Sequence, residues 1–271
     1  MNVHQYLIKG SNSKEMLVDV FYKCKSGNSK VVIFSHGFKG FKDWGCFPLV
    51  ARSFAENGFV FVKFNFSHNG TTLQNPSDFD DLESFGNNNF SRELYDLDKI
   101  IEWVCDKFKS PVITLLGHSR GGGVSMLKAS TDTRIKNVVS WASPSDFLNR
   151  MPEDRINLWK EKEVVYVYNG RTQQNMPMYL QFYNDCIENK NKLDIKKAVS
   201  NLTIPHLIIH GDADSTVLID EAESLHKWNP KSDLFILKDA DHVFGAIHPY
   251  DSKELPSSLH MVVEKTMNFI S

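Results

Sequence analysis

One serine of the chain is set among four glycines, in Gly117-His118-Ser119-Arg120-Gly121-Gly122-Gly123. A serine hydroxyl is a weak nucleophile at neutral pH. It attacks a carbonyl only with a base in hydrogen-bond reach, and that base needs a carboxylate to orient it. Further along, "IIHGDADSTV" offers Asp214, with Asp212 as a rival in the same loop, and "LKDADHVF" offers His242. The tetrahedral oxyanion of such an attack needs two N–H donors. The backbone amide of Arg120 supplies one, and Phe38 in "FSHGFKG" supplies the other. Acyl transfer from a carbonyl substrate is the chemistry that fits. The pattern G-x-S-x-G alone arises by chance in roughly one chain in ten of this length, so the surrounding elements must decide.

Those elements are legible. "QYLIKG" and "MLVDVFYK" flank the turn-like "SNSKE" and predict an opening hairpin. "KVVIFSHG", "FVFVKFNF", "PVITLLGH", "NVVSWAS", "PHLIIHG" and "DLFILKDA" read as sheet strands, the apolar runs being those of strands buried on both faces. Helical patterns lie between them, over 47–57, 91–107 (with Ser91 as N-cap), 120–130, 219–228 and 256–271. This alternation predicts an α/β fold, a mainly parallel sheet with helices on both faces. The serine sits between a predicted strand and a predicted helix, the setting a nucleophile elbow requires. Gly117 and Gly121 then relieve crowding at a sharp turn, Gly122 and Gly123 let the helix approach the sheet, and Ser119 takes a strained conformation. A phosphate loop fits less well, because no Lys-Ser/Thr pair follows and the glycine spacing is wrong.

Residues 146–201 interrupt the rhythm with more chain than a crossover needs. "EVVYVYNGRTQQNMPM" holds an Asn169-Gly170 hairpin signal, and "MYLQFYNDCIEN" an amphipathic helix. We read this as a small inserted cap on a single domain spanning 1–271. Its aromatic and methionine residues supply candidate substrate contacts, namely Trp159, Tyr166, Tyr168, Met178 and Phe182.

HGF at His36 to Phe38, GHSRGG at Gly117 to Gly122, HGDAD at His210 to Asp214 and DH at Asp241 to His242, in this order at strand ends, resemble the α/β-hydrolase family. More narrowly they are similar to its cinnamoyl/feruloyl-esterase-like and dienelactone-hydrolase-like members. The resemblance implies the α/β-hydrolase fold, a Ser119–His242–Asp214 triad, an oxyanion hole of the Phe38 and Arg120 amides, and no cofactor. Three positions depart from those esterases: Arg120 stands where Gln is common, and Asn65 and Ser67 stand where many relatives carry Asp and Arg.

Other titratable residues have plainer readings. His36, His118 and His210 are expected to brace the strand ends, and His226 to be structural or exposed. His248 and His260 are rivals of His242, and Asp146 is a third candidate acid. Asp241, beside His242, is expected at the surface or in the layer behind the reacting groups. No H-E-x-x-H or comparable spacing points to a metal. A net charge of −2, with 41% hydrophobic and 24% charged residues, gives no reason to expect nucleic-acid or membrane-surface binding. The chain begins without a basic, then apolar, leader. Cys24, Cys46, Cys105 and Cys186 are scattered and read as free thiols. A cytoplasmic protein is expected, its oligomeric state open. Its expected substrate is a small, uncharged aryl or medium acyl ester, with the Arg120 side chain turned away to pair with an acidic residue. Glu153, Asp154 and Glu163 keep a peptidase open, since carboxylates could tether a substrate amine; thioesterase and dienelactone-type hydrolysis are further alternatives. A non-catalytic ligand-binding protein of the same fold is the alternative of another class.

Overall fold

The computed structural model describes residues 1–23, 29–109, 111–148 and 152–271, so Cys24 lies outside the described residues. Eight strands form one sheet in the order β1-β2-β4-β3-β5-β6-β9-β10. β1 (Asn2–Lys9) and β2 (Glu15–Tyr22) make the expected hairpin, and β2 runs antiparallel to β4 (Val60–Phe64). All other neighbours are parallel: β4 to β3 (Lys30–Ser35), β3 to β5 (Val112–His118), β5 to β6 (Ile135–Trp141), β6 to β9 (His206–Gly211) and β9 to β10 (Asp233–Leu237). After β3 the chain moves outward to β4, and then returns to lay β5 on the other side of β3. That reversal opens a crevice at the carboxyl ends of β3 and β5, where ligands bind in open α/β sheets.

Side chains alternate across the sheet and feed two cores. On one face Ile113 and Leu115 of β5 pack with Leu97, Ile101 and Val104 of α3 (Phe90–Lys107). On the other, Leu116 packs with Val50 and Phe54 of α1 (Phe47–Glu56) and with Val262 and Val263 of α9 (Ser257–Phe269). The N-cap of α3 is Asn89, whose side chain accepts the Arg92 N–H at 2.9 Å, and not Ser91. The amide of Ser91 is instead taken by the Asp185 carboxylate at 3.1 Å. Asparagine caps as well as serine does, and its oxygen reaches the third amide of the helix.

Between β6 and β9 the chain forms α5 (Glu153–Lys162), the hairpin β7 (Val164–Asn169) and β8 (Gln174–Tyr179), then α6 (Gln181–Glu188) and α7 (Ile195–Ser200). Neither α5 nor α7 is marked by a clean apolar period. The hairpin closes through four residues, 170–173, with Gln173 rather than Gly170 at positive φ. α7 packs against α4 (Arg120–Ala129) and α8 (Ile219–Trp228), so it belongs to the layer covering the sheet. A short helix, α2 (Leu82–Gly86), packs against β8. No described helix is long and apolar enough to cross a membrane.

Candidate active site

β5 ends at His118 and α4 begins at Arg120, which leaves Ser119 alone to make the turn. It does so at φ 54° and ψ −126°, a backbone conformation that costs a non-glycine residue on the order of 1–3 kcal/mol. Two hydrogen bonds hold it there: the Ser119 N–H donates to Trp141 O at 2.8 Å, and the Gly122 N–H to Ser119 O at 2.9 Å. The glycines act by proximity. A Cβ on Gly117 would lie 2.2 Å from the Gly121 carbonyl oxygen, and one on Gly121 would lie 2.2 Å from Ser35 O. The Ser119 hydroxyl does not cap its own helix, and the residue faces a cavity of about 660 Å³.

His242 lines the same cavity, on the loop after β10. Its Nδ1 lies 2.7 Å from Asp214 Oδ2. A carboxylate there accepts from Nδ1–H, so the Nε2 lone pair is free. The same carboxyl accepts the Thr216 and Val217 amides on Oδ1, at 2.8 and 2.9 Å, and has His210 Nε2 3.2 Å from Oδ2. Burial by itself would raise the Asp214 pKa. The hydrogen bonds from His210, His242 and Val217 outweigh it and hold the carboxyl well below the usual carboxylate range. Asp214 is therefore ionised at neutral pH.

The rival acids are occupied elsewhere. Asp212 is exposed and accepts the Asp239 amide at 2.6 Å, while Asp146 accepts the Leu148 amide at 2.6 Å. Asp241 accepts the Val243 and Gly245 amides and so shapes the loop that carries His242. Of the rival histidines, His260 faces Glu264 at the surface. His248 does line the cavity, but its Nδ1 accepts the Gly45 amide and its ring stacks on Trp44. His226 lies against Ser232 Oγ.

His118 and His36 are braces. His118 Nε2–H donates to the His242 carbonyl at 2.8 Å, and burial pushes its pKa down to about 3. His36 donates from Nδ1 to Gly37 O and accepts the Phe66 amide on Nε2, and burial pushes it down to about 4. It thus ties the loop bearing Phe38 to the end of β4. Asn65 adds a second tie, accepting the Lys42 amide at 2.7 Å and donating to Thr71 Oγ1 and Pro76 O.

Arg120 does two things at once. Its guanidinium lies 3.2 Å from Glu93 Oε1, the acidic partner expected for it, yet it also lines the cavity. It sits over the rings of Phe38, Phe90 and Phe182 at 4.4, 4.6 and 5.1 Å from their centroids. Through those contacts one side chain touches the Phe38 loop, α3 and α6.

Of the expected cap contacts, Trp159, Met178 and Phe182 line the cavity. Tyr166 and Tyr168 do not; they are 59% and 58% exposed. Strand side chains alternate, and it is Val167 and Asn169 of β7 that face the site. Glu153, Asp154 and Glu163 are exposed and line no part of the cavity. Residues that sequence reasoning passed over complete the wall, among them Phe90, Phe147, Lys39 and Arg155. Lys39 immediately follows Phe38 and could have been flagged by that adjacency alone.

No curated protein matches the sequence. Among solved structures, Est1E from Butyrivibrio proteoclasticus with ferulic acid bound superposes with a TM-score of 0.73, 16% identity and 98% coverage of both chains. An esterase domain from a Rhodothermus marinus protein gives 0.67 and 16%, with 100% of both chains covered. A dienelactone hydrolase from Anabaena variabilis gives 0.64 and 15%, covering 99% of this chain and 97% of that one. At such identities the likeness speaks for the fold. The model of the alpha/beta hydrolase fold family matches residues 30–183, more than half of the sequence and all of the stretch from β3 through the nucleophile turn to the cap. The chain belongs to the alpha/beta hydrolase fold family.

Proposed function

We propose that the protein is a serine hydrolase that cleaves a carboxylic ester through an acyl-enzyme. One observation carries this reading: a serine strained at a strand-to-helix apex opens onto the same cavity as a histidine whose far nitrogen is held 2.7 Å from an ionised, buried aspartate. In this reading His242 Nε2 takes the proton of Ser119 Oγ as the oxygen attacks the ester carbonyl. Asp214 keeps the imidazole in the tautomer that can accept, and stabilises the imidazolium formed. The amides of Phe38 and Arg120 receive the oxyanion; Arg120 is the first residue of α4, so its N–H has no partner inside the helix. His242 returns the proton to the leaving alcohol, and water repeats the sequence on the acyl-enzyme.

The cavity walls fit an apolar aryl or medium acyl group, with Phe90, Phe147, Trp159, Val167, Met178 and Phe182 around the serine. The peptidase alternative loses its motive, because the cap carboxylates that could tether an amine stand outside the cavity. A non-catalytic binder has no use for a strained serine beside an oriented imidazole. The test is a panel of p-nitrophenyl and hydroxycinnamate esters given to the wild type and to Ser119→Ala. Turnover by the wild type alone supports the reading; equal rates in the two proteins overturn it.

A further inference from the structure

Arg120 is the cation nearest the serine in sequence, and Glu93 neutralises it. Three further cations line the same cavity, namely Lys39, Arg155 and Arg171, and no aspartate or glutamate among the described residues does. Arg171 has a counter-ion, Asp78, at 3.0 Å. Lys39 and Arg155 have none among the described residues. Lys39 Nζ donates to Tyr168 O at 3.2 Å, and an Arg155 guanidinium nitrogen lies 3.4 Å from Tyr166 O. Carbonyls two residues apart on a strand point to the same edge, about 7 Å from one another. The two cations are therefore anchored side by side along one edge of β7. Burial lowers the Lys39 pKa, as expected of an ammonium deprived of water without a carboxylate in exchange.

Trp159 follows Arg155 by four residues on α5, hence on the same helix face, and it also lines the cavity. It is 1% exposed, and its indole Nε1–H has no hydrogen-bond partner among the described residues. The indole packs against Phe182 and so forms part of the apolar wall behind the cations. The β7 edge of the cavity thus offers two uncompensated cations, with no facing carboxylate among the described residues.

We propose that Lys39 and Arg155 form an anion-recognition site along the β7 edge of the cavity, so that the substrate is a carboxylic ester carrying a second, ionised carboxylate. The proposal rests on the serine-hydrolase reading and deepens it. The aromatic wall holds the body of the substrate, and the acid at its far end meets the cations. An apolar cavity without those cations would exclude a free carboxylate.

The experiment compares mono-4-nitrophenyl suberate with its methyl ester, which share a leaving group and a chain and differ in the distal charge. In the wild type at low ionic strength, kcat/KM for the acid exceeds that for the methyl ester by about tenfold or more, equivalent to about 1.4 kcal/mol, and salt narrows the gap. The ratio falls to about one or below in Lys39→Met/Arg155→Met, and Arg155→Glu lowers it further. Because the readout is a ratio within each protein, a general loss of activity does not mimic the effect. The Ser119→Ala protein, titrated with both esters, binds the acid more tightly. Equal wild-type rates and equal binding by Ser119→Ala overturn the anion site and leave the hydrolase reading standing. So does an acid preference that survives in the double variant. Tighter binding of the acid by Ser119→Ala, with no cleavage of either ester by the wild type, overturns the hydrolase reading and leaves the anion site standing.

Discussion

Replacing Arg120 with methionine separates what its side chain does from what its backbone amide does. The side chain is 12% exposed and its partner Glu93 only 3%. Glu93 has one further donor, Asn88 Nδ2 at 2.7 Å, and its Oε2 has no partner among the described residues. Burial raises the Glu93 pKa even with the guanidinium beside it. Losing one partner of a buried pair costs on the order of 3–5 kcal/mol when the other charge stays trapped. Glu93 has an escape, because it can take a proton. From an ordinary value of 4.5, protonation at pH 7 costs at most about 1.36 × (7 − 4.5), or about 3.4 kcal/mol. At pH 5 the same bound is about 0.7 kcal/mol. A carboxyl whose folded pKa lies above its unfolded value contributes stability in full below the unfolded value, and loses it as pH rises through the folded one. The gap in stability between wild type and Arg120→Met is therefore widest at pH 7 and closes toward pH 5. For a chain of this size about 3 kcal/mol is a shift in Tm of roughly 6–12 °C. Methionine keeps much of the packing against Phe38, Phe90 and Phe182 but not the cation–π contacts, so kcat should also fall about tenfold as the Phe38 loop loosens. Chemical denaturation at pH 7 and pH 5, with ester turnover beside it, measures both. A gap that is the same at both pH values refutes the electrostatic argument.

Asp214→Asn should lower kcat by about 10⁴, since the amide cannot fix the accepting tautomer, while Asp212→Asn changes it little; the reverse order, read in steady-state kinetics, removes Asp214 from the mechanism. His36, His68, His118 and His206 have pKa values pushed down, chiefly by burial, to about 4, 4, 3 and 3. Their stability contribution is complete above the unfolded value of 6.5 and is lost as pH falls toward those folded values. Asp96, raised to about 6 by burial, opposes them. Glu93, raised as well, does the same, but the four histidines outnumber them, so unfolding near pH 5 should take up protons net, and Tm should drop between pH 7 and pH 5; calorimetry showing a flat Tm there contradicts this. Gly121→Ala places a Cβ 2.2 Å from Ser35 O, so the turn must open, and activity should fall more steeply than Tm in parallel assays. Replacing residues 159–182 with a short linker should raise KM for bulky aryl esters far more than for acetate esters; an equal loss for both makes the segment a brace.

The elbow, the sheet and the pairing of His242 with Asp214 were legible because each depends on local rules. Apolar runs, turn glycines and strand ends leave marks in sequence, and so the setting of Ser119 could be read before its φ was known. The long segment between β6 and β9 was legible by its length, but not which of its side chains face the cavity. Tyr166 and Tyr168 differ from Val167 and Asn169 by one residue, and nothing in a half-exposed hairpin says which alternate set turns inward. Helices α5 and α7 were missed because neither carries a strong apolar stripe. Ser91 was read as the cap of α3 where the fold uses Asn89, because both types cap well and only the fold decides. The expectation of an uncharged substrate rested on the aromatic and methionine side chains of residues 146–201, with Arg120 the one cation weighed against it. Lys39 and Arg155 are far apart in sequence, and only the edge of β7 brings their charges to one cavity.

The central claim is that Ser119 is the nucleophile, and a covalent probe tests it most directly. Incubation with a fluorophosphonate, followed by digestion and mass measurement, should place a single phosphonyl group on the peptide containing Gly117 to Gly123. The adduct should fail to form in Ser119→Ala and form far more slowly in His242→Ala, where Ser119 has no base. Labelling that persists in Ser119→Ala, or no adduct on the folded wild-type protein, contradicts the account.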